Sequence, residues 1–427
     1  MSRGLSMLER LEILRGTTAD AATITALQDR RLQRIVHYAY ERVPYYRGLF
    51  DQAGLTPDRI RTAADLRLIP VTTRREFQAM PLDQRLPEGI DPNTLHPFTT
   101  SGTTGRPLEM RQTEWDKQVN DMLALRLYRH HGMKPWHRKL GLRSKGEIPV
   151  DNSLHAKFGL FRRGWISTRW TPDQWVKTFR AFKPDIIFGY SLTLGVMARV
   201  LMERGVKDVR PICVMTSSNV LDAKTRADIQ EGFGCPVYDV YASWEGGIMA
   251  WECGRCPGYH INADWVIVEI LRGNRPALPG EAGDAVITSL HSFGMPFIRY
   301  KLGDVAVRNT KTPVCGCALP LLGDVFGRQG DLIVTPDGRT VSPHTFLALM
   351  DHVRGVECWR LVQEKPDRFR AEIVARQDFG PDAEAAIRDG IVQIVEQKVH
   401  VEIMKLEKPT WVEDSKFRPI VSEVGTS

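Results

Sequence analysis

The sequence predicts an α/β fold with a largely parallel sheet at its core, and two observations predict it. Short apolar runs alternate with helical patterns: a strand-like stretch at 185–190 leads into a helix at 192–203, and one at 209–217 into a helix at 223–233. At 427 residues the chain can bury a large core and still hold a second, smaller domain. Ligands of open parallel sheets bind beyond the carboxyl ends of the strands, so the loops at Tyr190, Ser217 and Tyr241 lie where a site belongs.

Composition narrows the function. A hydrophobic share of 42% and a charged share of 26% are ordinary for a globular protein. The net charge of +7 is modest and spread along the chain, without the basic block or stripe of a nucleic-acid binder. It suits an anionic substrate. No apolar run approaches the roughly 20 residues of a bilayer span, and residues 1–14 alternate charges with leucines rather than forming a signal-peptide core. The expectation is a cytoplasmic protein with neither a nucleic-acid nor a membrane partner.

Residues 8–40 read helical, with apolar positions at helical spacing over 21–40 (Leu27, Leu32, Ile35, Val36, Ala39), and Pro44 is expected to break the helix. Tyr45 and Tyr46 read as packing residues. A helix is predicted over 113–131; His130 and His131 at its end read as capping or solvent-facing rather than as metal ligands. Strands are expected at 261–271 and after Gly283. In the last hundred residues strands at 331–334, 359–363, 370–375 and 401–405 surround a helix at 382–398. Cys213, Cys235 and Cys358 read as core residues with no nucleophile setting. Trp136, Phe188 and Tyr190 are equally suited to an apolar pocket and to the core.

Three stretches carry chemistry. Thr99, Thr100, Ser101, Gly102, Thr103, Thr104, Gly105, Arg106 and Pro107 crowd five hydroxyls and two glycines into seven residues, followed by a cation. Exposed loop N–H groups and hydroxyls suit phosphate oxygens, and Arg106 offers the fixed charge that a pyrophosphate leaving group needs. The standard G-x-x-x-x-G-K-[ST] loop is absent. The second stretch, Tyr241-Ala242-Ser243-Trp244-Glu245-Gly246-Gly247, places a carboxylate before two glycines, where it can reach a hard divalent ion. The third is cysteine-rich: Cys253 and Cys256 with His260, then Cys315 and Cys317. Such pairs in an intracellular chain point to metal before disulfide. Four of these five residues would complete a structural zinc site with no open position.

The hydroxyl loop resembles the signature of the adenylate-forming enzymes (acyl-CoA synthetases, peptide-synthetase adenylation domains, luciferases), with Arg106 where Lys is common. The N-terminal order of a helix, Val43-Pro44-Tyr45-Tyr46-Arg47 and Ile69-Pro70-Val71-Thr72-Thr73 resembles the phenylacetate-CoA ligase branch. The resemblance implies that Glu245 helps bind magnesium on ATP, and that Thr100 to Gly105, Tyr241 and the segment Ser217-Ser218-Asn219 line the ATP/AMP site. It implies ribose contacts for Asp304 after Gly303, a nucleotide contact and hinge at Arg328, and a catalytic role for Lys416 near the end, beside Arg106 and Glu245. A large adenylation domain at 1–327 and a small mobile lid domain at 328–427 follow from that hinge. The sequence departs from the family at Ala242, Trp244, Gly330 and Ser415, and the Gly-Glu pair usual in the 217–219 segment is missing.

The implied activity joins a carboxylic acid to AMP at the expense of ATP, then passes the acyl group to a thiol such as coenzyme A, with an aryl or arylacetic acid as the branch substrate. One alternative passes the acyl group to an amine or hydroxyl, as in amide synthetases or capsule biosynthesis. Another is a zinc-stabilised, non-catalytic binding protein with a vestigial nucleotide site. The branch is often dimeric, which leaves a homodimer open.

Overall fold

The computed structural model describes residues 4–99, 108–143, 151, 153–328, 333–341, 345–346, 349–350, 353–408 and 420–424. It is an α/β protein whose contacts divide it into two units. One comprises Met1–Asn219, Ile229–Leu302 and Ala306–Val325; the other comprises Phe326–Ser427 with the short pieces Val220–Asp228 and Gly303–Val305.

An eight-stranded sheet forms the centre of the first unit. Its strands are β1 (Lys139–Arg143), β2 (Arg163–Ser167), β3 (Ile186–Tyr190), β4 (Cys213–Ser217), β5 (Val237–Ser243), β6 (Gly247–Trp251), β7 (Tyr259–Ile261) and β8 (Leu321–Leu322), in the order β8-β7-β6-β5-β4-β3-β1-β2. From β2 through β5 every pairing is parallel; from β5 onward every pairing is antiparallel. β4 is buried along its whole length, as a strand covered on both faces must be. The expected run at 209–217 forms a strand only from Cys213.

The N-terminal segment is two helices, not one: α1 (Met7–Arg15) and α2 (Ala21–Arg42). Asp20 caps α2 by accepting the Thr23 N–H at 2.7 Å, which fixes a new start after the turn at Gly16. Pro44 ends α2, but it also opens α3 (Pro44–Gln52) from its first turn, where a missing N–H costs nothing. α4 (Glu114–His130) starts at Thr113, whose hydroxyl and main-chain N–H exchange hydrogen bonds with Asp116.

These helices are held from far along the chain. Arg126 of α4 is fully buried; it grips the Asp264 carboxylate with both terminal nitrogens, at 2.8 and 3.0 Å, and also bonds the Asn262 amide. Arg31 of α2 donates to the Asp264 carbonyl at 2.6 Å and lies over the Trp265 ring at 3.6 Å. The Tyr46 hydroxyl donates to the Pro296 carbonyl and accepts the Ile298 N–H, so Tyr46 packs as expected. The strand expected at 261–271 breaks where Asn262 turns the chain, its carbonyl accepting the Trp265 and Val266 N–H groups; it resumes as Val266–Arg272. That strand belongs to a second sheet, which runs from Thr72–Thr73 through Tyr300–Val307, Ala282–Ser289 and Val266–Arg272 to Arg275–Pro276.

The second unit has its own core. Val356–Lys365 and Arg368–Ala375 form a hairpin, flanked by His400–Leu406 and Ile420–Ser422. The helix Pro381–Val395 buries Ile387, Ile391 and Val395 in the cluster with Phe346, Phe369 and Ile373. No helix among the described residues is long and apolar enough to cross a membrane.

Removing one partner of a buried ion pair strands the other charge. Arg126→Met or Asp264→Asn should therefore lower unfolding free energy by about 3–5 kcal/mol in urea titrations, whereas breaking the exposed pair Arg180–Asp208 should change it far less.

Candidate functional site

The switch from parallel to antiparallel pairing puts a hairpin at the carboxyl end of β5, and its tip is Trp244-Glu245-Gly246. The Ser243 hydroxyl accepts the Gly246 N–H at 2.9 Å and closes the tip. Both glycines are required. A Cβ on Gly246 would meet the Met249 sulfur at 2.6 Å; Gly247 has φ +68°, and a Cβ there would fall 2.1 Å from Asn120 Oδ1. Asn120 in turn meets His291 Nε2 at 3.1 Å, while His291 Nδ1 lies 3.3 Å from the Trp265 carbonyl. Burial pushes the His291 pKa down to about 4, so the ring supporting the hairpin is neutral at pH 7. Glu245 is only 7% exposed.

Next to the hairpin, the Ser217 hydroxyl at the end of β4 donates to the Val240 carbonyl at 2.8 Å. Ser218 follows with φ +76°, a left-handed conformation unusual for a residue with a side chain. The Ser191 hydroxyl then donates to the Asn219 carbonyl. Tyr241 is buried in β5. Ser217, Ser218, Asn219, Tyr241 and Glu245 thus share the carboxyl ends of β4 and β5. Asp304 is half-buried in the strand Tyr300–Val307, and Arg328 ends the strand Val325–Arg328. Thr100 to Arg106 and Lys416 lie outside the described residues. Trp136 precedes β1 and sits 59% exposed at the opposite end of the parallel strands, which removes it as a pocket residue.

The cysteine stretches converge. Ligand atoms of Cys253, Cys256, His260 and Cys315 all lie within 4.8 Å of one another, with Cys315 Sγ 3.2 Å from His260 Nε2. Main-chain N–H groups of Arg255 and Cys256 point at Cys253 Sγ, and that of Val314 at Cys256 Sγ. His260 Nδ1 sits 3.0 Å from the Leu319 carbonyl, which leaves Nε2 as the lone-pair nitrogen facing the sulfurs. Cys317 is not in the cluster; it is 4% exposed within the apolar core. Burial pushes the Cys213 and Cys235 thiols up to about 12, which fits their reading as core residues. His131 is the C-cap residue of α4 and stacks on Tyr238, while the exposed His130 lies against Trp251.

No protein-family model matches the chain. It is 27% identical over 397 residues to the phenylacetate-coenzyme A ligase of Thermus thermophilus, spanning 88% of this chain and 81% of that one. The Escherichia coli phenylacetate-coenzyme A ligase is also 27% identical, over 74% of each chain. These likenesses support the reading of the chain as phenylacetate-CoA ligase-like. The fold of the branch extends to a crystal structure of 2-hydroxyisobutyryl-CoA ligase in the postadenylation state. That likeness has a TM-score of 0.78 at 20% identity and covers 96% of this chain and 91% of the other.

The structure adds residues that local sequence does not reveal. Asp239 of β5 accepts the Thr216 hydroxyl at 2.6 Å and the Tyr259 hydroxyl at 2.9 Å, and its N–H donates to Glu252. It ties the cysteine hairpin to the strand that ends at Ser217. Asn120 and His291 support the Glu245 turn from α4 and from the loop after Ala282–Ser289. Neither pair is readable from spacing, because each joins residues remote in the chain.

His291 predicts a pH dependence. Its folded pKa, near 4, lies below the ordinary imidazole value of 6.5. The neutral ring's contribution is therefore complete above about pH 6.5 and is lost as pH falls toward 4. Wild type minus His291→Asn should show on the order of 2–4 kcal/mol of extra stability loss across that window in denaturant titrations.

Proposed function

We propose that the protein is an AMP-forming carboxylate–coenzyme A ligase of the cytoplasm, with a nucleotide domain at 1–327 and a mobile lid at 328–427. The observation that carries the reading is the placement of Glu245, on a glycine-closed tip beside Ser217–Asn219 at the carboxyl ends of the parallel strands. The relatives' names supply the substrate classes: a carboxylic acid, arylacetic in the phenylacetate enzymes, and coenzyme A.

In the first half-reaction a substrate carboxylate oxygen attacks the α-phosphate of ATP; the new P–O bond gives an acyl-adenylate and pyrophosphate leaves. In the second, the thiol loses its proton, sulfur attacks the acyl carbon, and AMP leaves. The protein's part is to align reactants and neutralise charge that develops on phosphate. Arg106, the N–H groups of the 100–105 loop and Lys416 take that part, while Asp304 and Arg328 hold the nucleotide. Magnesium bound with ATP would supply further positive charge at the phosphates, and the hard oxygen of the Glu245 carboxylate suits it as a ligand.

The converged donor set of three sulfurs and one imidazole nitrogen suits zinc. Cys253, Cys256, His260 and Cys315 would hold the ion, with Cys317 left out. Four protein ligands leave no open position, so its role is to fasten the β6–β7 hairpin to the segment entering β8. One zinc per chain is expected by plasma mass spectrometry. Cys256→Ser should lose it and melt at least ~5 °C lower while still binding ATP at low temperature.

Acid-dependent pyrophosphate release, assayed across a panel of carboxylic acids with and without coenzyme A, tests the activity. Turnover that needs coenzyme A, with a thioester in the mass spectrum, is the expected result. Glu245→Gln should lower kcat by roughly 10²–10³-fold. An acyl-adenylate without thioester would favour an amine or hydroxyl acceptor, a second reading prompted by 20% identity to Protein CapK of Staphylococcus aureus. Neither release nor ATP binding would favour a non-catalytic binding protein.

A further inference from the structure

Away from the carboxyl ends of the parallel strands, α1 and α4 border a cavity of about 400 Å³, within the size range of small-molecule sites. Its walls follow from helical spacing. Leu11, Leu14 and Arg15 stand at i, i+3 and i+4 on α1, and Arg126, Arg129 and His130 stand the same way on α4. Thr17 and Thr18, in the turn after α1, complete the lining.

The lining holds three arginines and no carboxylate. Acids near it in sequence are engaged elsewhere: Glu9 accepts from Ser6, and Glu12 pairs with Arg30 and Arg31. Asp264, itself fully buried, neutralises Arg126, but Arg126 Nε has no hydrogen-bond partner among the described residues. Arg15 and Arg129 form no side-chain ion pair or hydrogen bond among the described residues. Cations in a last helical turn ordinarily serve its free carbonyls. Here those carbonyls have other donors. The Ile13 carbonyl takes the Gly16 N–H and the Arg126 guanidinium, the Arg15 carbonyl the N–H groups of Thr18 and Ala19, and the Arg129 carbonyl the Gly132 N–H. Two guanidinium groups are therefore left over at the cavity. Beside them Leu11 and Leu14 make an apolar wall, which Met7 extends at the same spacing to the exposed start of α1.

We propose that this cavity is a second binding site, separate from the reaction site, for an amphipathic organic anion. Its carboxylate or phosphate head lies between Arg15 and Arg129, and its hydrocarbon part lies along Leu11 and Leu14. The planar fork of arginine matches both heads. A neutral apolar ligand would leave the guanidinium groups unused, and a bare inorganic ion would leave the leucine wall in water. The inference does not rest on the ligase reading, because none of the residues it uses belongs to the nucleotide segments.

Calorimetric titration of the full chain with octyl phosphate and with octanoate tests the site, with inorganic phosphate as bare head and octanol as bare tail. At least one octyl anion should bind once per chain and tighter than about 1 mM, and the bare head and tail at least ~10-fold more weakly. The better head tells a phosphate ligand from a carboxylate one. Arg15→Gln and Arg129→Gln should each weaken that binding by about 10- to 100-fold with unchanged thermal melting. Leu11→Asn should weaken the octyl anion at least ~3-fold and leave inorganic phosphate unaffected. Arg180→Gln, which removes an exposed arginine elsewhere, should change nothing. Failure of both octyl anions to bind in that range would overturn the site. Unchanged binding in the Arg15→Gln/Arg129→Gln double variant would also overturn it, as would an equal loss in Arg180→Gln. A fall in pyrophosphate release by the double variant, with melting unchanged, would make the cavity part of the reaction site and overturn it as a separate one. A wild type that releases no pyrophosphate would count against the ligase reading alone, since the titrations do not depend on turnover.

Discussion

A change of strand direction between β5 and β6 governs where chemistry can sit in this protein. Parallel strands need long crossovers, and their carboxyl ends open onto loops; an antiparallel neighbour needs only a tight turn. At the junction the chain therefore makes a three-residue tip beside the open ends of β4 and β5. Glu245 is carried on that tip. Two glycines make the turn geometrically possible, and Asn120 with neutral His291 fills the space behind it. Moving the direction change by one strand would separate Glu245 from Ser217 and Asn219.

The same strand supports the site from its other side. Asp239 spends both carboxylate oxygens on hydroxyls from β4 and β7, so a buried acid becomes a crosslink instead of a cost. Through it the hairpin that carries the cysteine cluster is tied to the parallel sheet.

Local patterns in the sequence were enough to read the parallel core and the helix at 113–131, because each is encoded by neighbours. Pro44 was half legible: proline ends a helix and also suits the first turn of the next, and only the chain's path decides between them. The cysteines showed a different limit. Cys315 and Cys317 are equivalent in spacing, but Gly316 at φ +90° turns one sulfur toward His260 and the other into the core. Arg126, Asp239 and His291 were invisible, since a lone arginine, aspartate or histidine in a sequence does not name its partner, whether that lies on a neighbouring strand or more than a hundred residues away.

The N-terminal hundred residues find most of their anchors late. Thr72 bonds the Ile298 carbonyl across 226 residues, Arg31 the Asp264 carbonyl across 233, and Tyr46 the Pro296 carbonyl across 250. On the ribosome, at about 5–20 residues per second, α2, α3 and the Thr72 strand would wait roughly 10–50 s for those partners to emerge. Through that interval α2 and α3 can pack on each other, but the faces later covered by residues 264–298 stay open. Those faces of the nascent chain are thus exposed longest during synthesis.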